Sequence, residues 1–264
     1  MPIIDAIQRV RARLSLTVGH VVALVAGIAA VSVSAAGLFG VGEDVTQRNG
    51  LYSSDASNLR VFVDHRPGLL VSAARAVTDL GAVPLLMIPA VAVAGLLWWR
   101  GQRLIVAAAP TIALVVAGAL AAVAKQLVDR PRPAASLRLV TETEPSFPSG
   151  HTTDTTAFYL TCALILAVFV LRRPLARVAI VGAAGALATA VGLSRLVLGV
   201  HWPTDVLAGW ALGVGVAVTV VTAVFVATRL TTTPSQPGPR RVGQLLAVLN
   251  KSRATEPGIH LAVP

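Results

Sequence analysis

Six stretches of this chain run for about the thickness of a bilayer with almost no charged residue, which leaves few folds open to it. They cover residues 18–41, 80–99, 104–124, 152–171, 178–197 and 206–228. A soluble helix or strand interrupts its apolar residues with polar ones at its own period, and these stretches do not. With 55% hydrophobic and 13% charged residues and a mean hydropathy of +0.75, lipid is the expected solvent. The fold class that follows is all-α: a polytopic six-helix membrane bundle. Pro84, Pro89 and Pro110 lie in or near the starts of spans, where neighbouring helices tolerate a kink.

The organisation divides into a cytoplasmic segment 1–17, a membrane domain 18–228 and a basic tail 229–264. Arg9, Arg11 and Arg13 before an apolar run ending near Val33-Ser34-Ala35 resemble a signal peptide, but the run is too long, so it is read as a retained span. The tail opens with Thr231 to Pro239, a flexible tether, and continues with Val242, Leu245, Leu246 and Leu249 at helical spacing. Both a short amphipathic helix on the inner leaflet and a flexible tail fit that pattern.

The net charge of +10 does not point to nucleic acid, because the basic residues lie in loops between apolar runs rather than on one face. Their distribution sets topology instead. With the N-terminus in the cytoplasm, thirteen of the 22 basic residues fall inside against only Asp5 and Glu256, and nine fall outside against ten acidic residues. Both termini are then cytoplasmic, in the plasma membrane, and the stretches 42–79, 125–151 and 194–205 face outward. The single cysteine, Cys162, sits in an apolar run and reads as a small buried hydrophobe.

Three polar clusters break the apolar background, all on the outward side. They are Lys125 through Arg132-Pro133, then Pro148-Ser149-Gly150-His151, then Ser194-Arg195 through His201 to Asp205. Lys125, Arg132 and Arg195 supply three positive charges of the kind that neutralise phosphoryl oxygens, the arginines as two-toothed forks. Ser149 and Gly150 stand at the start of a span, where free N–H groups point at an anion; an N-cap serine beside an interfacial histidine fits that motif equally well. His201 and Asp205 are four apart, hence on one helical face, where a carboxylate fixes the tautomer of an imidazole.

The three clusters resemble the type 2 phosphatidic acid phosphatase superfamily, whose motifs are K-x6-R-P, P-S-G-H and S-R-x5-H-x3-D; all eleven fixed residues are present in order. The resemblance covers residues 125–205 and, through the six-span layout, extends to about residue 228. It implies that Lys125, Arg132, Ser149, Gly150 and Arg195 bind phosphate, that His151 protonates the leaving oxygen, and that His201, held by Asp205, is the nucleophile that forms a phosphohistidine. It implies no metal or cofactor, and the sequence has no H-E-x-x-H pair, Cys/His cluster or calcium-type loop. The expected partners are the bilayer and a lipid phosphate substrate, first a polyprenyl pyrophosphate such as undecaprenyl or decaprenyl pyrophosphate, then phosphatidic acid or phosphatidylglycerol phosphate. A vanadium haloperoxidase, which shares the constellation, is disfavoured by the six spans. A non-catalytic membrane binding or scaffold protein retaining the pocket is the reading of another class.

Residues outside the motif register have blander expectations. Arg130 and Arg138 are read as headgroup contacts, Glu142 and Glu144 as a solvated loop, and Trp202 as an interfacial anchor. Asp154, within a polar run from Thr152 to Thr156, is read as a helix N-terminal carboxylate, with tuning of His151 as the other possibility. Gly209 and Gly213 are read as close helix packing.

Overall fold

Eight helices follow one another among the residues that the computed structural model describes, which are 2–230, with side chains from 21 to 229. They are α1 (Pro2–Gln47), α2 (Asp55–Val63), α3 (Gly68–Asp79), α4 (Val83–Trp99), α5 (Leu104–Val128), α6 (Gly150–Ile165), α7 (Pro174–Val197) and α8 (Pro203–Leu230). No strand occurs among the described residues, so the all-α expectation holds. The readings made for residues 231–264 lie outside the described residues. Met1–Val224 forms one compact unit, and all of the site described below lies within it.

Among the described residues five helices are long and apolar enough to cross a membrane: α1 from Val21, α5, α6 extended through Val170, α7 and α8. The expected span at 80–99 differs from the observed structure. The chain breaks after Asp79, α4 begins at Val83 next to Pro84, and α3 and α4 meet at 52°, so that only the bent pair together makes a sixth span. Pro89 and Pro110, by contrast, lie within continuous helices. The stretch 42–79 holds the end of α1 followed by α2 and α3.

Helix α6 is the centre of the bundle. Of its membrane window 61% is buried, against 11% for that of α1. It packs on α5, α7 and α4, and small residues make the approach possible: Ala109, Ala113 and Ala117 of α5 and Ala157 of α6 are fully enclosed. On the other flank, a Cβ at Gly213 of α8 would stand 2.5 Å from Thr156 Cβ and 2.8 Å from the Thr153 carbonyl oxygen. Gly209 is nearly as close to Thr152 and Ser149, so both glycines are the close-packing positions expected. Cys162 is buried among Leu86, Leu114 and Phe158, as read. Outward faces such as Ile88, Val91, Val115 and Val123 remain exposed and apolar, as a lipid solvent requires.

Candidate active site

The three motifs arrive at one end of the bundle from four helix ends. Lys125 is in the last turn of α5, Ser149 caps the start of α6, Arg195 is in the last turn of α7, and Asp205 is in the first turn of α8 behind Pro203. Two turns aim the connecting segments. After α5, Asp129 adopts a left-handed conformation, which an aspartate tolerates, and turns the chain toward Arg130 and Arg132. After α7, Gly199 has φ of +69°, and a Cβ there would collide with the Leu137 carbonyl oxygen. Arg66, between α2 and α3, locks this corner by donating to the carbonyls of Val197 (2.8 Å) and Leu137 (2.9 Å). Ser149 is tied to α8 by its N–H donating to the Asp205 carbonyl at 3.1 Å.

His201 is buried between an acceptor and a donor. Its Nδ1 lies 3.4 Å from Asp205 Oδ2, and its Nε2 lies 3.2 Å from Arg132 Nη1. A carboxylate only accepts and a guanidinium only donates, so this pair selects one tautomer: the proton sits on Nδ1 and the lone pair on Nε2. Burial pushes the imidazole down to about 4, with Arg195 and Arg132 reinforcing the shift and Asp205 opposing it. At neutral pH the ring is therefore neutral, with the Nε2 lone pair unprotonated.

Cationic groups line the space in front of Nε2. Arg132 donates from Nε to the Glu144 carbonyl (2.7 Å) and from Nη1 to the Val200 carbonyl (2.9 Å), which holds its fork in place. Arg195 is 2% exposed, donates from Nη1 to Thr78 Oγ1 at 2.9 Å, and leaves its buried Nε without a hydrogen-bond partner among the described residues. An orphaned cationic donor at such depth fits an anion-binding site. Lys125 stands beside Gly150, its Cε 3.9 Å from where a Cβ would be, and donates to the Pro145 carbonyl at 2.5 Å. His151, half-buried at the start of α6, lies within electrostatic range of Arg195, Glu142, His201 and Arg132. The eight residues singled out by the motifs thus surround one corner of the bundle.

Residues 106–229 match the PAP2 superfamily. The chain carries a PAP2 superfamily domain. Over 93 residues, 34% of this chain and 44% of the relative, it is 41% identical to phosphatidylglycerophosphatase B of Bacillus subtilis. Over 101 residues, 37% of this chain and 50% of the relative, it is 41% identical to decaprenylphosphoryl-5-phosphoribose phosphatase of Mycobacterium tuberculosis. It therefore spans about half the length, or less, of these curated relatives. Among solved structures, a transmembrane PAP2 type phosphatidylglycerolphosphate phosphatase from Bacillus subtilis superposes with a TM-score of 0.64 at 27% identity, covering 75% of this chain and 97% of that one.

Within the PAP2 domain and its approach, several readings from the sequence need correction. Arg130 is not a headgroup contact: it is 5% exposed and bridges Asp55 of α2 and Asp205 of α8. Arg138 turns inward to the Glu142 carbonyl at 3.3 Å. Glu142 is not a solvated loop residue, because its carboxylate pairs with Arg195 and lies 3.6 Å from Arg132. Burial works to raise the Glu142 carboxyl, but the charge and hydrogen bond of Arg195, with the charges of Arg132 and His151, outweigh it and hold it below the usual carboxylate range. Glu144 does remain exposed, 3.7 Å from Lys125. Trp202 is less an anchor than a cover: its Nε1 donates to the Pro131 carbonyl at 2.9 Å and its ring lies over Arg130. Asp154 is buried inside the bundle rather than displayed at a helix start, 3.7 Å from the Cβ position of Gly118 on α5. Asp55, Thr78 and Arg66 went unnoticed in the sequence because no motif or periodic spacing links them to residues more than 65 positions away.

Proposed function

We propose that this chain is a metal-independent phosphatase of membrane lipids that works through a phosphohistidine on His201. The observation that carries the proposal is the buried, neutral His201 with its Nε2 lone pair aimed at the guanidinium of Arg132 and backed by Asp205. In the reaction, Nε2 forms a bond to phosphorus while the bond to the lipid oxygen breaks, and His151 gives that oxygen a proton. Arg132, Arg195, Lys125, the Ser149 hydroxyl and the Gly150 N–H take up the charge on the phosphoryl oxygens, the part that a metal plays in other phosphatases. Water then cleaves the nitrogen–phosphorus bond and releases inorganic phosphate.

A phosphate on a membrane lipid is the substrate class supported by the membrane helices, the site at the bundle end and the lipid-phosphatase names of the relatives. Those relatives act, by name, on phosphatidylglycerophosphate and on decaprenylphosphoryl-5-phosphoribose. They stand beside the polyprenyl pyrophosphate drawn from the sequence as the lipids to compare. The charge balance of the loops supports cytoplasmic termini and a site facing outward. The test is phosphate release by purified protein in detergent from these three lipids, with EDTA present and absent. His201→Ala is expected to abolish release, and EDTA to leave the parent rate unchanged. Equal release by the His201→Ala variant would refute the mechanism, and loss of activity with EDTA would refute metal independence.

A further inference from the structure

Behind the nucleophile lies an ion triad that the phosphate-binding motifs do not account for. Arg130 donates from Nη2 to Asp55 Oδ2 (2.5 Å) and from Nη1 to Asp205 Oδ1 (2.5 Å) and Thr204 Oγ1 (2.7 Å). Thr204 in turn donates from its N–H to Asp55 Oδ1 (3.0 Å) and from its hydroxyl to Asp55 Oδ2 (2.5 Å). The side chains of Arg130, Asp55 and Asp205 are 4%, 4% and 0% exposed. The rings of Tyr52 and Trp202 lie 5.0 and 5.5 Å from the guanidinium carbon, so little water reaches it.

We infer that Asp55 and Arg130 are positioning residues for catalysis, which turn the Asp205 carboxylate toward His201 and fix at minus one the charge of the triad behind it. The inference rests on the reading of His201 as nucleophile. Asp205 divides its oxygens: Oδ1 is taken by Arg130, leaving Oδ2 for the Trp202 N–H at 2.9 Å and for His201 Nδ1. Arg130 with Asp205 alone would form a neutral pair. Asp55 adds the second negative charge, and the triad keeps the counter-charge that an imidazole needs when phosphorylation at Nε2 makes it cationic. Stability alone is a weak reason for such an arrangement, since buried ion pairs are often no better than apolar residues of similar size.

The charged groups facing His201 are Asp205 from α8, Arg195 from α7, His151 from α6 and Arg132 from the loop between α5 and α6. None of them changes in Arg130→Gln or Asp55→Asn, which alter the triad in opposite senses. The test is the ring titration of His201 by NMR, from pH 8 to 3, in full-length histidine-labelled protein in detergent without substrate. The chain has five histidines, few enough for the His201 signal to be assigned by its loss in His201→Asn. Arg130→Gln is expected to move the midpoint up and Asp55→Asn down. The double variant should return close to the parent, because Asp205 alone again presents a single negative charge.

Both single variants should also slow phosphate release by roughly tenfold or more with KM within about twofold, since neither residue touches the anion. Shifts of both single variants in one direction, or a double variant that does not return, would overturn the inference. If Arg130→Gln does not fold, Asp55→Asn decides alone: a downward shift supports the triad and an upward or absent shift overturns it. The titration needs no turnover, so its failure leaves the phosphatase reading standing, while absence of phosphate release from every lipid refutes that reading separately.

Discussion

A guanidinium as deeply enclosed as that of Arg195 needs a counter-charge, and in the free protein Glu142 supplies it. The same carboxylate lies near Arg132, so it occupies groups that a phosphate needs. Replacing Glu142 by Gln should make the free protein less stable and its phosphate complex comparatively stronger. The expected readings are a lower melting temperature in detergent, a larger upward shift on adding inorganic phosphate, and a several-fold lower inhibition constant for phosphate. Weaker phosphate binding in the variant would mean that Glu142 orients Arg195 more than it competes for it. At this scale the motif residues were legible because their spacing survives in any fold that brings helix ends together. Glu142 and Arg130 were not, because a loop has no period from which to tell a side chain turned inward from one in water. Arg130 and Arg132 are two positions apart, yet one holds the charge behind the histidine and the other the space in front of it.

Among the elements, the contact of α6 with α8 matters most to the site, since it joins Ser149 to Asp205. It depends on two glycines that leave no room for a methyl group: at Gly209 a Cβ would stand 2.9 Å from Thr152 Cβ, and at Gly213 2.5 Å from Thr156 Cβ. Gly213→Ala is expected to lower stability by about 1–3 kcal/mol through overpacking, read as a drop in melting temperature. Gly209→Ala, nearer the motifs, should in addition reduce phosphate release. Gly182→Ala and Gly185→Ala on α7 are the controls: nothing lies within 4 Å of either Cβ position, and alanine is the better helix former. If all four variants melted alike, the close approach of α8 to α6 would not be what holds that end together. The spans were legible as helices from their length and lack of charge. The break between α3 and α4 was not, because the apolar residues continue across Leu80–Ala82 and only packing of α3 on α7 shows where the chain turns.

For the whole molecule, the positive-inside rule supports an orientation that the bundle geometry makes useful: every motif lies at the end whose loops are close to neutral, opposite the basic turns that hold Arg100, Arg103, Arg172 and Arg173. The lone native cysteine is buried, so single new cysteines report topology cleanly. Thr143→Cys, in the loop over the site, should react with a membrane-impermeant maleimide in intact cells, whereas Arg173→Cys, between α6 and α7, should react only after the membrane is opened. The reverse pattern would place the site in the cytoplasm. The linear order of residues by itself determined the solvent, the number of apolar runs to within one bend, and the set of groups able to meet a phosphate, because hydrophobic length and motif spacing are local properties of the chain. Which charges pair was decided only by the tertiary structure. Asp55 with Arg130, Arg195 with Glu142, and Arg66 with the carbonyl ends around Gly199 are meetings across 53 to 131 positions, and Coulomb energy in a dry interior depends on distance in space rather than along the sequence.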